Sequence, residues 1–429
     1  MSQVEKETRS YLANFSRSET AKAYQERCLR ETGKRHREYE KLGELLAAHG
    51  PFERVLDMPC GGGRFFDLLK ANSRSVVGAD ASRAQLEGAV QTQSLSGAVR
   101  ALQANAAHLP FKDASFDCAM SIRFFHHLHS GAARIEALKE LARVSLRHVL
   151  VTFYDYMRYG LVKSAIGRFR GNSKKINLKS VAVSRFALEG AKAGLKVVKV
   201  VHFHPGSQSI FVLFEKCPQA AAEFLKKPET LSRRLRLGRT VERMLPAILG
   251  AMALVCFFVD LDEVEKGAFN WAAGLPLLAL GALLLGGGLF FKNKCAQSPF
   301  QPEGPYKVVR HPIVAGAIVW MAALSAMCEI LWFVPIAAVL LYFSFGPFME
   351  LAEARMFLKH ENAYDEYCAE TPRLFPYFRA LKNYVFETFL AICRLEGAPQ
   401  YVYPALFFAA GVLFAIAKEL YWDHIAPLH

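Results

Sequence analysis

Val55-Leu56-Asp57-Met58-Pro59-Cys60-Gly61-Gly62-Gly63-Arg64-Phe65-Phe66-Asp67-Leu68-Leu69 decides the fold of the first half of this chain. An apolar strand ends at Asp57, the run Gly61–Gly63 turns the chain, and an amphipathic helix begins near Arg64. Glycine is demanded where a ligand lies against backbone, because a Cβ would collide and positive φ is often required. A dinucleotide fingerprint, G-x-G-x-x-G, needs a further glycine at position 66, and Phe66 stands there; NAD is demoted accordingly.

Outward from this turn, short apolar runs alternate with helical stretches: SVVGAD, SRAQLEGAVQTQ, VRALQAN, FDCAMSI, RIEALKELARVS and HVLVTFY. That alternation predicts a mostly parallel sheet with helices on both faces, and LKVVKVVHFH with QSIFVLFEK predicts a terminal antiparallel hairpin. Residues 1–50 read as a helical entry segment, stopped at His49-Gly50-Pro51. The soluble domain runs over 51–225.

Polar residues fall at the predicted strand ends. Asp80 closes the second strand, where a carboxylate accepts ribose hydroxyls. Asn105 and Ala106 follow the third, where a side-chain amide or nearby backbone reads an adenine edge. His126 and His127 follow the fourth, and either imidazole can take a proton from a hydroxyl or enol, or else cap and pack a helix. Asp155 closes the fifth. In this order the residues resemble the class I S-adenosylmethionine-dependent methyltransferases, especially the branch acting on small molecules, quinones and lipids. The resemblance spans about 50–217. It implies an α/β Rossmann-like fold, Asp57, Gly61 and Gly63 around the methionine part of the cofactor, Asp80 on its ribose, and Asn105 with Ala106 near adenine. Pro59 stands where the family's D-x-G-x-G-x-G has its first glycine.

The chain has 429 residues, more than one core of ~250 residues accommodates. Its composition of 52% hydrophobic and 21% charged residues averages two unlike halves. Apolar runs at about 244–259, 271–291, 313–328, 330–348 and 401–417 predict an all-α integral membrane domain of four to five helices over 244–429. Before it, residues 226–243 carry seven basic residues against two acidic ones and read as a juxtamembrane linker. The net charge of +14 concentrates in that linker, in 158–175 and in the loops after the second run and the hairpin. This distribution points to a bilayer surface and away from nucleic acid. The positive-inside bias predicts a cytoplasmic N-terminal domain on a bacterial-type inner membrane or its equivalent. The nine cysteines show no close pair of the zinc or redox type, and no metal site is expected.

One polar stretch of the second half stands out: Gly304-Pro305-Tyr306-Lys307-Val308-Val309-Arg310-His311-Pro312. A charged pair at a membrane boundary is a functional candidate. Together with Glu350, Glu353, Arg355, Tyr364 and Tyr367 it resembles the isoprenylcysteine carboxyl methyltransferase and phospholipid methyltransferase families over roughly 245–378. That resemblance implies Tyr306, His311, Pro312 and Glu353 around a second S-adenosylmethionine, with Arg310 or Arg355 facing the acceptor's charge. Ala352 stands where those families have the first residue of a Glu-Glu pair. The whole chain thus reads as a membrane-bound, bifunctional methyltransferase acting on a lipid, quinone-like or lipidated small-molecule acceptor. The competing reading gives the chain a single soluble active site and makes the membrane half an anchor or lipid-binding module.

Overall fold

The structure, a computed structural model, describes residues 2–15, 33–92, 99–155, 182–203, 207, 209–230, 232–258, 268–297, 299–328, 333–374, 376, 378–393 and 398–424. It divides into two compact units, Met1–Leu231 and Ser232–His429.

In the first unit two helices, α1 (Gln3–Phe15) and α2 (Gly33–His49), precede strand β1 (Phe52–Asp57). Then follow α3 (Phe66–Asn72), β2 (Ser73–Asp80), α4 (Arg83–Thr92), β3 (Val99–Gln103), β4 (Phe116–Ser121), α5 (Gly131–Val144), β5 (Ser145–Tyr154), α6 (Val183–Lys192), β6 (Leu195–His202), β7 (Ser209–Lys216) and α7 (Pro218–Lys226). The strands form one sheet in the order β3-β2-β1-β4-β5-β7-β6. β1 pairs parallel with β2 and β4, and β5 with β4, while β7 runs antiparallel between β5 and β6. This is the expected mostly parallel sheet with its terminal hairpin. The sheet is buried on both faces. Leu56, Ala79, Ala119, Val149 and Val212 face one core, and Val55, Val76, Cys118, Leu150 and Phe211 face the other. Continuous apolar runs suit strands covered on both sides.

Reversal of strand order beside β1 leaves a crevice at the carboxyl ends of β1 and β4, where ligands of open α/β sheets bind. The glycine turn sits at that edge. Gly61 and Gly63 have φ of +53° and +73°, a region that favours glycine. A Cβ on Gly63 would lie 2.7 Å from the Phe66 ring, and one on Gly78 of β2 would lie 2.4 Å from it. Phe66 thus fills, as a fully buried core side chain, the space that a glycine leaves open in a dinucleotide fold.

In the second unit, α8 (Arg233–Phe258), α9 (Ala268–Cys295), α10 (Pro312–Met327), α11 (Phe333–Glu370), α12 (Phe378–Cys393) and α13 (Val402–His424) are joined by short segments. Two expectations change here. Residues 233–243 of the expected linker are helical and continue into the first apolar run, because Leu235 and Val241 are buried along one face. The described residues also hold six helices where four to five were expected. Phe378–Cys393 mixes apolar with charged positions and shows no uninterrupted apolar run. Glycines bring α9 and α10 into close contact: a Cβ on Gly281 would lie 2.6 Å from the Trp320 nitrogen, and one on Gly316 would lie 2.3 Å from that of Leu285. Among the described residues one helix, Trp271–Cys295, is long and apolar enough to cross a membrane, with a mean hydropathy of 2.0; Pro312–Met327 and Val402–Lys418 are shorter apolar helices. The basic stretch 158–175, the acidic loop after the first apolar run and Glu329 lie outside the described residues.

Candidate active site

Two carboxylates organise the crevice of the first unit. Asp80, at the end of β2, accepts from the Gly61 backbone N–H at 2.9 Å through Oδ2 and from that of Ser82 at 2.8 Å through Oδ1. One side chain therefore ties the glycine turn to the start of α4. Burial pushes the Asp80 carboxyl up to about 6, although its bonds from Ser82 and Gly61 counteract that rise.

Asp57 is the unusual group. It is 1% exposed, and neither carboxylate oxygen has a hydrogen-bond partner. Burial, and next the nearby charge of Asp80, push its carboxyl up to about 8. A buried acid without a partner costs stability, and the fold compensates for it where a ligand is to supply the missing donor or charge. The neighbouring backbone is already committed: the Met58 N–H donates to the Met120 carbonyl and the Cys60 N–H to that of Ala79, both at 2.9 Å. A cationic amine beside Asp57, hydroxyls on Asp80 and backbone packed against Gly61 and Gly63 match the amino-acid and ribose parts of S-adenosylmethionine. The residues present fit that cofactor.

Asn105 sits where expected, beyond β3 and beside Asp80, whose carbonyl accepts from the Ala104 N–H at 3.0 Å. Its amide is engaged, however. Nδ2 donates to Glu5 of α1 at 2.8 Å, and Oδ1 accepts from the Ala107 N–H at 3.0 Å. Ala106 is buried in the same loop. His126 and His127 lie on a short 3-10 turn, Phe125–His127, after β4, and are half-buried. The His126 ring stacks on Tyr154 at 4.9 Å and lies 3.9 Å from that of His127. This places an imidazole pair and a phenol together on the carboxyl edge of β4 and β5. Asp155, just beyond, is buried.

Sequence reasoning missed a cluster beside this edge. Glu38 of α2, 1% exposed, accepts from Arg64 of the glycine turn at 2.8 Å and from Arg123 Nε at 3.0 Å. Arg123 holds a φ of +60°, rare for a side chain of its size, and its N–H donates to the Thr152 hydroxyl. Only the charge of Arg123 inside the apolar stretch SIRFFHHL hinted at it. Buried Arg134 of α5 was missed as well. It donates to both Glu189 oxygens at 2.7 Å and to the carbonyls of Leu128 and His129, which fixes the loop after the histidine turn.

The second unit gathers most of its predicted residues. Glu353 Oε1 accepts from Arg310 Nη1 at 3.1 Å, contacts His311 Nε2 at 3.0 Å and accepts from Arg373 Nε at 3.0 Å. Backbone pairing aligns the two contributing segments, Arg310 N–H with the Pro372 carbonyl and His311 N–H with that of Arg373. Pro312 opens α10, where its missing N–H costs no helical bond. Tyr306 donates to the Gly288 carbonyl, and Tyr367 donates to that of Tyr306 at 2.7 Å. Burial alone would raise the Glu353 carboxyl, yet Arg373, Arg310 and His311 hold it below the usual carboxylate range. Arg355 departs from the expected arrangement. Two residues along α11 from Glu353, it points elsewhere and pairs with Glu242 of α8 at 2.9 Å.

Residues 56–148 match the family described as "Methyltransferase domain". O-methyltransferase rstn1 of Aspergillus nomiae is 34% identical over 138 residues, 31% of this chain and 55% of that protein. Methyltransferase GfsG of Streptomyces halstedii is 37% identical over 122 residues, 27% of this chain and 41% of that one. The tRNA (carboxymethyluridine(34)-5-O)-methyltransferase alkbh8 of Xenopus tropicalis is 30% identical over 110 residues, 26% of this chain and 16% of its own length. The chain thus spans about half or less of the length of each of these curated relatives. Among solved structures, the magnesium protoporphyrin IX methyltransferase of Synechocystis PCC 6803 with bound SAH aligns at a TM-score of 0.36 and 15% identity, covering 42% of this chain and 83% of that one. The first unit thus carries a methyltransferase domain, and its crevice holds residues that fit S-adenosyl-L-methionine.

Proposed function

We propose that the whole chain is a membrane-bound S-adenosylmethionine-dependent methyltransferase whose chemistry resides in the first unit and whose acceptor is a lipid, a quinone-like molecule or a lipidated small molecule. The observation that carries the donor site is Asp57, a buried carboxylate with no partner beside Asp80 and the glycine turn. The bound cofactor supplies an electrophilic methyl on a sulfonium. The chain's own part is to hold the donor's amine and ribose, keep water from the crevice and bring the acceptor to the carboxyl edge of β4. There His126 or His127 accepts the acceptor's proton. Alignment and desolvation carry most of such a transfer.

Membrane residence is supported by the surface of the second unit. Leu254, Phe258, Leu277, Phe386, Leu406, Leu413 and Leu420 are exposed on α8, α9, α12 and α13, whereas the described residues of the first unit expose few large apolar side chains. Exposed apolar surface on this scale marks a contact with lipid or protein. The charge pattern supports a first unit on the cytoplasmic side of a bacterial-type inner membrane or its equivalent, with membrane lipids as partners and no nucleic acid.

A second donor site, built as in the isoprenylcysteine carboxyl methyltransferases from Tyr306, His311, Pro312 and Glu353 with Arg310 near the acceptor, would make the chain bifunctional. The saturation of Glu353 Oε1 by three neighbours favours the alternative, in which this network braces an anchor or lipid-binding module. Binding stoichiometry separates the two. The full chain in detergent is titrated with S-adenosylhomocysteine, alone and as Asp80→Ala or Glu353→Ala. One site that is lost only with Asp80→Ala supports the anchor reading. Two sites, one lost with each variant, establish bifunctionality, and no binding at all refutes the enzyme reading. Comparative lipid mass spectrometry with and without the protein then identifies the acceptor as the species lacking one methylene.

A further inference from the structure

We propose that Glu5 of α1 is a specificity-determining residue for the donor: by locking the Asn105 amide in one orientation, it makes the site select a 6-aminopurine over a 6-oxopurine. This rests on the methyl-donor reading above.

α1 is held to the domain from its first turn onward. Its first turn is capped from another element, since Glu136 of α5 accepts from the Gln3 N–H at 3.0 Å and the Val4 N–H at 3.3 Å. Val4 and Thr8 are buried, so the helix is seated on the domain. From that seat two carboxylates reach in different directions, as residues two apart on a helix must. Glu7 accepts from the backbone N–H groups of His129 and Ser130, beyond the histidine turn. Glu5 accepts from Asn105 Nδ2 at 2.8 Å, beyond β3. One helix thus holds both the loop expected to face the purine and the loop expected to face the acceptor.

The Asn105 contact has a chemical polarity. An ionised carboxylate only accepts, and a backbone N–H only donates. With Glu5 on one side and the Ala107 N–H on the other, Nδ2 must face Glu5 and Oδ1 must face Ala107. A flipped amide would set oxygen against carboxylate and nitrogen against N–H, two repulsive contacts in place of two bonds. Oδ1 keeps a second lone pair, so what the locked side chain offers a ligand at its oxygen end is an acceptor. An acceptor suits the exocyclic amine of adenine and opposes the carbonyl of hypoxanthine. Sites built around a specific hydrogen-bond polarity reject the mismatched analogue strongly, because a buried polar group is left unpaired. Glu5 is a positioning residue that acts through Asn105.

The test compares the full chain with its Glu5→Ala, Glu5→Gln and Glu7→Ala variants. The ratio of dissociation constants for S-inosylhomocysteine and S-adenosylhomocysteine is measured calorimetrically, and hydrogen exchange over 3–15 monitors the seating of α1. Wild type is expected to prefer the amino compound by at least ~10-fold. Glu5→Ala, which leaves the Ala107 N–H as the remaining lock on the amide, is expected to lower that ratio clearly, and Glu5→Gln, whose amide still offers an acceptor to Nδ2, to retain most of it. Glu7→Ala controls for loosening of the helix and is expected to keep the ratio while exposing amides near 129–130. A Glu5→Ala variant that discriminates as wild type does, or a Glu7→Ala variant that loses discrimination to the same extent, overturns the proposal. Wild type that binds neither compound instead refutes the methyl-donor reading beneath it.

Discussion

Replacing Asp57 by Asn should stabilise the ligand-free first unit and at the same time impair its donor site, with a pH dependence that follows from burial. The native carboxyl titrates near 8, against ~3.9 for an unfolded chain. Between those values the folded protein holds a proton that the unfolded chain has released, so stability falls as pH rises. The slope is about 1.4 kcal/mol per pH unit while the difference persists, which makes the loss on the order of 4 kcal/mol from pH 5 to pH 8. Asn is neutral throughout and avoids this loss. The stability difference, Asp57→Asn minus wild type, should therefore be small near pH 4–5, grow with pH and level off above 8. All four tryptophans lie in the second unit, so their fluorescence does not follow the first. Pulse proteolysis in urea, with peptides from β1 and β4 mapped at pH 5, 6, 7 and 8, reports the relevant unit. A difference that stays flat, or that shrinks as pH rises, refutes the assignment of Asp57 as a buried, unpartnered acid. The same variant should bind S-adenosylhomocysteine more weakly, because the amide cannot neutralise the ligand's ammonium.

Binding of S-adenosylhomocysteine at pH 7 should release a proton from Asp57, since the arriving ammonium favours the charged carboxylate; calorimetry in buffers of different ionisation enthalpy measures it, and buffer-independent heats contradict it. Gly63→Ala places a Cβ at a φ of +73° and 2.7 Å from the Phe66 ring, so the first unit should lose about 1–3 kcal/mol and donor affinity with it. Adding Phe66→Ala should relieve the clash and leave the backbone strain, and full recovery of binding would dispute the φ argument. Glu189→Ala removes the carboxylate that pairs with Arg134, itself 1% exposed, and should cost about 3–5 kcal/mol by the same proteolysis assay. A loss below ~1 kcal/mol would mean that the Leu128 and His129 carbonyls satisfy Arg134 unaided. Leu406→Lys with Leu413→Lys, both exposed on α13, should weaken retention of the chain in liposomes without altering donor binding; unchanged retention contradicts lipid contact at that face.

The legible parts of this fold were those with local causes. A glycine run after an apolar strand forces a turn wherever it occurs, and Asp80 and Asn105 fall at strand ends because the alternation of elements places them there. Contacts made across sequence left no such mark. Nothing near Asn105 shows that Glu5, 100 residues upstream, engages its amide, and nothing near Arg64 shows that Glu38 and Arg123 converge with it. Charge density at 226–243 suggested a linker because composition reveals solvation more readily than helical continuity, whereas the buried face of α8 depends on neighbours not adjacent in sequence. Arg355 failed for a geometric reason: Glu353 and Arg355 are close in sequence but about 200° apart around the helix.

Asp57 and Glu353 illustrate how one chemistry can serve two ends. Both are buried carboxylates beside segments that sequence reading marked as donor sites. Asp57 has no partner and is driven toward its neutral form, whereas Glu353 is surrounded by Arg310, His311 and Arg373 and driven toward its charged form. An unpartnered acid lowers the stability of the empty protein and gains when a cation arrives, so its persistence calls for a ligand. An acid that already accepts from three side chains gains little from another cation, and its removal leaves two guanidiniums facing each other; its persistence is explained by the fold alone. On this criterion the methyl donor belongs with Asp57, and the network around Glu353 holds α10 and α11 together at the end of an apolar bundle. A second S-adenosylhomocysteine lost with Glu353→Ala while the unit stays folded would reverse that assignment.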